Sequence, residues 1–95
     1  MPYYALLYAL ADDYVSRRAA FREGHLELAR AAHARGEIVL AGAFADPADN
    51  ALLVFRAPDA SVATRFAQQD PYVLNGLVKR WIVRQWNVVI GNDPD

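Results

Sequence analysis

Residues 37–57, EIVLAGAFADPADNALLVFRA, decide the fold of this chain, because two short apolar runs flank one polar turn. The runs 37–44 and 51–57 have the length and the content of β-branched and aromatic residues that favour strands. Residues 45–50 between them have the composition of a turn. The segment therefore predicts a β-hairpin.

A helical pattern precedes the hairpin, from about residue 15 to 35. Apolar side chains such as Phe21 recur at helical spacing on the face that also carries His25. Gly24 interrupts this pattern, where glycine costs about 1 kcal/mol relative to alanine. We therefore expect either a bend there or a helix that begins near Phe21, with Gly36 ending it.

A second helix is predicted after the hairpin and runs to about Gln69. Asp59 or Ser61 is suited to cap its first turn, and Phe66 is expected to face inward. Asp70-Pro71 stops this helix, and the proline is suited to open a further short turn.

The outermost segments are predicted to be strands over residues 3–10 and 78–90, followed by a polar tail over 91–95. The order strand, helix, strand, strand, helix, strand predicts an α+β fold of the ferredoxin-like (βαββαβ) plan, with an antiparallel sheet and both helices on one face. The outer strands are apolar on both faces, but helices cover only one. We therefore expect a homodimer through the uncovered sheet face.

Composition narrows the function classes. Ninety-five residues predict one domain, 1–95, and the formal net charge of −1 with no basic stripe argues against nucleic-acid binding. No apolar stretch could span a bilayer of roughly 30 Å, so no membrane association is expected. The chain has no cysteine and no recognisable signal peptide, which fits a cytoplasmic protein.

The candidate chemistry centres on His25, one of only two histidines, and on Asp70. If the fold joins them, the carboxylate would orient the imidazole for general acid–base catalysis. Arg22, one turn before His25, could hold an anionic substrate. The alternatives are a half-buried His25 bound to a backbone carbonyl and an Asp70 that only caps a turn. His25 and His33 are two turns apart, so no metal site is expected.

The chain resembles the YciI-like (YCII-related) family of small dimeric α+β barrels. Five ordered segments carry the resemblance: the opening strand with Tyr8, Arg22-x-x-His25-Leu26, Gly36 with Ala41-Gly42, Asp70-Pro71-Tyr72 running into Asn75-Gly76-Leu77, and the aromatic last strand ending near Trp86. The chain departs from the family pattern at Ala43, where proline is common, and in a hairpin turn that lacks the usual glycine.

The resemblance implies an active site at His25 and Asp70, in a cofactor-free enzyme of small aromatic or lactone metabolism. Proton transfer, isomerisation or elimination suits such a site, because no serine or cysteine is placed as a nucleophile. Tyr8 and Tyr72 are candidate substrate contacts, the alternative being core or dimer contacts. The alternative function is a non-catalytic dimeric module that binds a small ligand or supports an assembly.

Overall fold

A computed structural model describes residues 1–91 and contains one four-stranded antiparallel sheet. The elements, in chain order, are β1 (Tyr3–Leu10), α1 (Tyr14–Arg17), a 3₁₀ turn (Arg18–Ala20), α2 (Arg22–Ala34), β2 (Ile38–Ala43), β3 (Asn50–Arg56), α3 (Ser61–Gln69), α4 (Pro71–Leu74) and β4 (Val78–Trp86). The strand order is β2-β3-β1-β4, and the helices lie on one side of the sheet. The predicted hairpin and the ferredoxin-like plan are confirmed.

The first strand is the centre of the sheet and forms much of the core. Strand β1 pairs antiparallel with both β3 and β4, so its side chains alternate between the helix-covered face and the open face. Leu6 and Tyr8 on the covered face are almost completely buried, as is Phe55 from β3. The helix-covered face of the sheet therefore holds the core.

The first helical region is broken into three pieces, as the second alternative anticipated. Helix α2 begins at Arg22 immediately after Phe21, and α1 and the 3₁₀ turn form an irregular lead-in. Gly36 follows the helix with a φ of +81°, a left-handed conformation that suits glycine at the end of a helix.

The last strand is shorter than predicted. It ends at Trp86 and not at Ile90, although the apolar sequence continues. The reason is that Trp86 pairs with Tyr3, the first residue of β1, and the preceding Pro2 has no backbone N–H to extend the ladder. Of the predicted polar tail, residues 92–95 lie outside the described part of the chain.

The sheet face opposite the helices carries large apolar side chains. Leu40, Ile82 and Trp86 point to this face, and they are 70%, 52% and 47% exposed in the single chain. No helix of residues 1–91 covers these side chains, as the one-layer arrangement predicts.

Candidate active site

Asp70 lies at the junction between α3 and α4, where its sequence context holds it firmly. Its backbone leaves the helical conformation at a ψ of 122°, and Pro71 occupies the first position of α4. The Asp70 carboxylate caps α4, since the backbone N–H of Tyr72 donates to Oδ1 at 3.0 Å. The side chain is fully buried, with 0% exposure. A buried charge of this kind requires compensating hydrogen bonds.

His25 supplies one of those bonds. Its Nδ1 lies 2.9 Å from Oδ1 and 3.0 Å from Oδ2 of Asp70. An ionised carboxylate can only accept a hydrogen bond, so with Asp70 ionised Nδ1 is the nitrogen that donates in this contact. The same carboxylate therefore both caps a helix and holds the imidazole, so the two interpretations of Asp70 hold together. The backbone-carbonyl alternative fits the other histidine, since Nδ1 of His33 lies 2.9 Å from the carbonyl of Ile38.

Gly24 allows this contact to form. A Cβ atom placed on Gly24 would lie only 3.2 Å from Cγ of Pro71. The glycine that weakens α2 therefore lets α2 approach α4 closely. His25 follows Gly24 and Asp70 precedes Pro71 along the chain, so the close approach lies directly beside the His25–Asp70 hydrogen bond.

Tyr8 completes the surroundings of the carboxylate from the centre of the sheet. Its hydroxyl donates to Oδ2 of Asp70 at 2.8 Å. Burial, together with the neighbouring Asp70 charge, raises the pKa of Tyr8 far above its ordinary value. Tyr8 therefore stays a hydrogen-bond donor over the whole neutral range.

Tyr72 fixes the plane of the imidazole. The rings of Tyr72 and His25 are stacked, with centroids 4.0 Å apart and an angle of 9° between their planes. Phe66 contacts the His25 ring edge-on, at 6.4 Å between centroids. Burial raises the pKa of Tyr72 to about 12, with a further contribution from Tyr14. Stacking and the Asp70 contact together leave the histidine ring little freedom.

A cavity of about 340 Å³ opens beside the histidine, between α2 and the sheet. Its wall is largely apolar or aromatic, with small residues of the edge strand β2 on one side. The lining residues are Tyr8, Leu10, Tyr14, Arg18, Arg22, His25, Leu26, Ala29, Ala41, Gly42, Ala43, Ala51, Leu53 and Tyr72. Asp70 lies behind this wall. Among residues 1–91, no hydrogen-bond partner is found for Nε2 of His25, the ring nitrogen that does not contact the carboxylate.

The sequence matches the YCII-related domain family over residues 1–87. The chain belongs to the YCII-related family. Among solved structures, one similar protein is the 5-chloro-2-hydroxyhydroquinone dehydrochlorinase TftG from Burkholderia phenoliruptrix AC1100, in complex with 2,5-dihydroxybenzoquinone. The two share 19% identity and a TM-score of 0.78, over 96% of this chain and 99% of TftG.

A second similar structure is protein Atu4242 from Agrobacterium tumefaciens, at 16% identity and a TM-score of 0.60, with 95% of each chain covered. Among curated proteins, none matches by sequence. At these identities the two structures support the fold of this YCII-related chain.

The structure brings together all five residues singled out in this YCII-related sequence. The cavity is lined by His25, Arg22, Tyr8 and Tyr72. Asp70 lies behind them and contacts Tyr8, His25 and the backbone of Tyr72. Sequence reasoning missed two other lining residues that carry polar groups, Tyr14 and Arg18. The signal was a four-residue spacing through positions 14, 18, 22 and 26, which continues across the break in the helix.

Within 1–91, no group of three or more His, Cys, Asp or Glu side chains stands close enough to hold a metal ion. None of the helices in that range has both the length and the apolar character needed to cross a membrane.

Proposed function

We propose that this protein is a cofactor-independent enzyme that moves a proton on a small cyclic or aromatic compound, with His25 as general acid–base and Asp70 as the residue that orients it. One observation carries the proposal: Nδ1 of His25 contacts both oxygens of a fully buried carboxylate while the ring lines an open cavity. A wide separation or a sealed apolar surround would have favoured the non-catalytic module.

The proposed chemistry follows from the two ring nitrogens of His25. Asp70 keeps the proton on Nδ1, so Nε2 presents a lone pair to the cavity, and the carboxylate stabilises the imidazolium that forms when Nε2 takes a proton. General acid–base assistance of this kind contributes about 10²–10⁴-fold in rate. The site is rigid before substrate arrives, because stacking on Tyr72 fixes the ring and Tyr8 fixes the carboxylate.

Elimination and isomerisation both begin when Nε2 takes a proton, and they differ in what happens next. In an elimination, Nε2 takes a proton from carbon, the C–H pair forms the new double bond, and the leaving group departs from the adjacent carbon with its bonding pair. In an isomerisation, the imidazolium returns the proton at another atom of the substrate. TftG is a dehydrochlorinase of 5-chloro-2-hydroxyhydroquinone, and loss of HCl is an elimination.

The other cavity residues are proposed to bind substrate. The hydroxyl of Tyr8 is committed to Asp70, so Tyr8 offers its ring surface to the substrate. Tyr72 stacks one face of its ring on His25, which leaves the remaining ring surface to contact substrate. Arg22 is proposed to hold an anionic group of the substrate or an enolate formed during the reaction.

We also infer that two copies pair through the open sheet face. The support is the exposure of Leu40, Ile82 and Trp86 on a face that no helix of the described residues 1–91 covers. Sedimentation equilibrium tests this: the wild type should have twice the mass of the chain, and Ile82→Glu should shift it toward monomer. A monomeric wild type at micromolar concentration would contradict the inference.

The catalytic proposal is tested by following proton transfer directly. Small cyclic and aromatic compounds, with 5-chloro-2-hydroxyhydroquinone among them, are incubated with the protein in D₂O, and NMR records deuterium uptake and new products. We expect activity in the wild type and its loss in His25→Ala and Asp70→Asn, with the fold retained by circular dichroism.

His33→Ala is the matched control, because it removes the other imidazole, which does not line the cavity. It should leave activity intact. If turnover survives in both His25→Ala and Asp70→Asn, the proposed mechanism is wrong. Specific binding without any turnover across the panel would instead support the non-catalytic module.

A further inference from the structure

The cavity wall carries two arginines and no acidic side chain. Arg18 from the 3₁₀ turn and Arg22 from the start of α2 are four positions apart, and both line the cavity that His25 faces. Among the described residues that form the wall, none is Asp or Glu. The formal net charge of the whole chain is −1, so this local excess of positive charge is not part of a generally basic surface.

The two guanidinium groups differ from other arginines of the same helices in having no carboxylate partner. Arg17 pairs with Asp13 at 3.7 Å, and Arg30 pairs with Glu23 at 3.9 Å. Across residues 1–91, no ion pair involves Arg18 or Arg22. Both groups are therefore available to a ligand.

Both guanidinium groups neighbour aromatic rings of the wall of the cavity that His25 also lines. Arg18 lies over the ring of Tyr14 at 5.6 Å, a cation–π contact that holds it against the wall. Arg22 is close enough to Tyr72 for its charge to oppose part of the rise in the pKa of that tyrosine, and Tyr72 is stacked on His25. The positive groups and the imidazole therefore share one compartment.

We infer that the cavity takes a small organic acid, whose ionised oxygens bind Arg18 and Arg22 while its apolar part packs against the leucine and alanine wall. A planar guanidinium matches the pair of oxygens of a carboxylate, and the single oxygen of an ionised enol or phenol can accept from one of its N–H groups. Arg18 is then a specificity-determining residue. The inference deepens the proposed function by naming its substrate class, but the binding claim rests on the cavity alone.

Binding of three probes tests the inference without any turnover. Benzoate is compared with benzamide, which has the same shape without the charge, and with inorganic phosphate, which has the charge without the ring. NMR titrations follow the arginine side-chain N–H signals and the His25 ring. We expect benzoate to bind most tightly and its Kd to rise at least about tenfold in Arg18→Gln and in Arg22→Gln.

Arg30→Gln is the matched control, since it removes the same charge from α2 outside the cavity. It should leave the Kd for benzoate within about twofold. Benzamide binding as tightly as benzoate, or arginine variants that bind normally, would overturn the inference. Phosphate binding as tightly as benzoate would overturn it too, because the apolar wall would then contribute nothing.

The two proposals fail in different experiments. If His25→Ala turns over substrate normally while the arginine variants lose benzoate, the proposed mechanism fails and the substrate class stands. If His25→Ala and Asp70→Asn lose turnover while the arginine variants still bind benzoate normally, the mechanism stands and the substrate class is wrong.

Discussion

Replacing Asp70 by asparagine changes the charge of a fully buried group while keeping its shape, and its consequences can be worked out bond by bond. In the wild type the carboxylate accepts from the Tyr72 backbone N–H at 3.0 Å, from the Tyr8 hydroxyl at 2.8 Å and from His25 Nδ1 at 2.9 Å. The asparagine carbonyl can keep the backbone bond. Its NH₂ group then takes the place of Oδ2, which faces the Tyr8 hydroxyl at 2.8 Å and His25 Nδ1 at 3.0 Å.

The free energy of unfolding should fall by about 1.5–3 kcal/mol, the contribution of a hydrogen bond to a charged group. The loss is limited because both former donors can adapt. The Tyr8 hydroxyl can accept from the new NH₂ group, and the imidazole of His25 can move its proton to Nε2 and accept at Nδ1.

The effect on catalysis should be much larger than the effect on stability. With its proton on Nε2, His25 no longer presents a lone pair to the cavity, so it cannot act as a base. The same replacement in a Ser-His-Asp triad lowers kcat by about 10⁴-fold for this reason. We expect a decrease of that order in deuterium exchange or turnover by Asp70→Asn.

The tautomer itself can be measured without a substrate. Long-range ¹H–¹⁵N NMR, at a pH where both imidazoles are neutral, should show the His25 proton on Nδ1 in the wild type and on Nε2 in Asp70→Asn. His33 is an internal reference, because its Nδ1 bonds to a carbonyl in both proteins.

Asp59→Asn is the control for replacing a carboxylate that accepts from a backbone N–H. Asp59 accepts from the backbone N–H of Ser61 at 2.8 Å, but it is exposed and does not line the cavity, and the N-cap position of α3 is Ala60. Its replacement should move neither the His25 tautomer nor the activity. If His25 keeps its proton on Nδ1 in Asp70→Asn, the reasoning that the Asp70 carboxylate sets the tautomer of His25 is refuted.

Three further predictions concern the same site. Tyr8→Phe should lower the free energy of unfolding by about 1.5–3 kcal/mol in urea denaturation, because the buried carboxylate loses a donor, whereas Tyr4→Phe, with no such bond, should change it by less than about 0.5 kcal/mol. Gly24→Ala should not raise the free energy of unfolding by the roughly 1 kcal/mol expected from helix propensity, because the new Cβ would lie 3.2 Å from Cγ of Pro71. A full increase of about 1 kcal/mol in the same assay would show that Pro71 moves aside without cost. The stability should fall as pH rises above about 10, since the pKa of Tyr72 is raised to about 12 and the unfolded chain releases its proton first; a flat profile of unfolding free energy between pH 9 and 12 would contradict this.

The sequence predicted the order of the elements because the hairpin and its flanking helices have clear periodicity. It also named both partners of the central contact, because the chain has only two histidines and because the resemblance to the YCII-related family implies a site at His25 and Asp70. What periodicity could not give was the distance between His25 and Asp70. That distance depends on how closely α2 and α4 pack, which is a tertiary property of Gly24 and Pro71.

Two errors have the same physical origin. The last strand was expected to reach Ile90 because its residues are apolar, but strand length is set by the partner, and β1 offers none beyond Tyr3. Arg18 was missed because the break between α1 and α2 hides which way its side chain turns. In both cases a local pattern was correct and the neighbouring element decided the outcome.

The small residues of β2 at the margin of the cavity affect its size, whereas other elements of the fold carry the groups that would do the chemistry. Ala41, Gly42 and Ala43 belong to an edge strand that contributes none of the groups around the carboxylate. Bulkier side chains at Ala41 or Ala43, which share the helix-covered face with Leu53 and Ala51, would narrow the cavity and exclude larger molecules without disturbing the imidazole. Substitutions on β2 can therefore change the size of the ligand that the cavity accepts, while the groups that transfer protons stay the same.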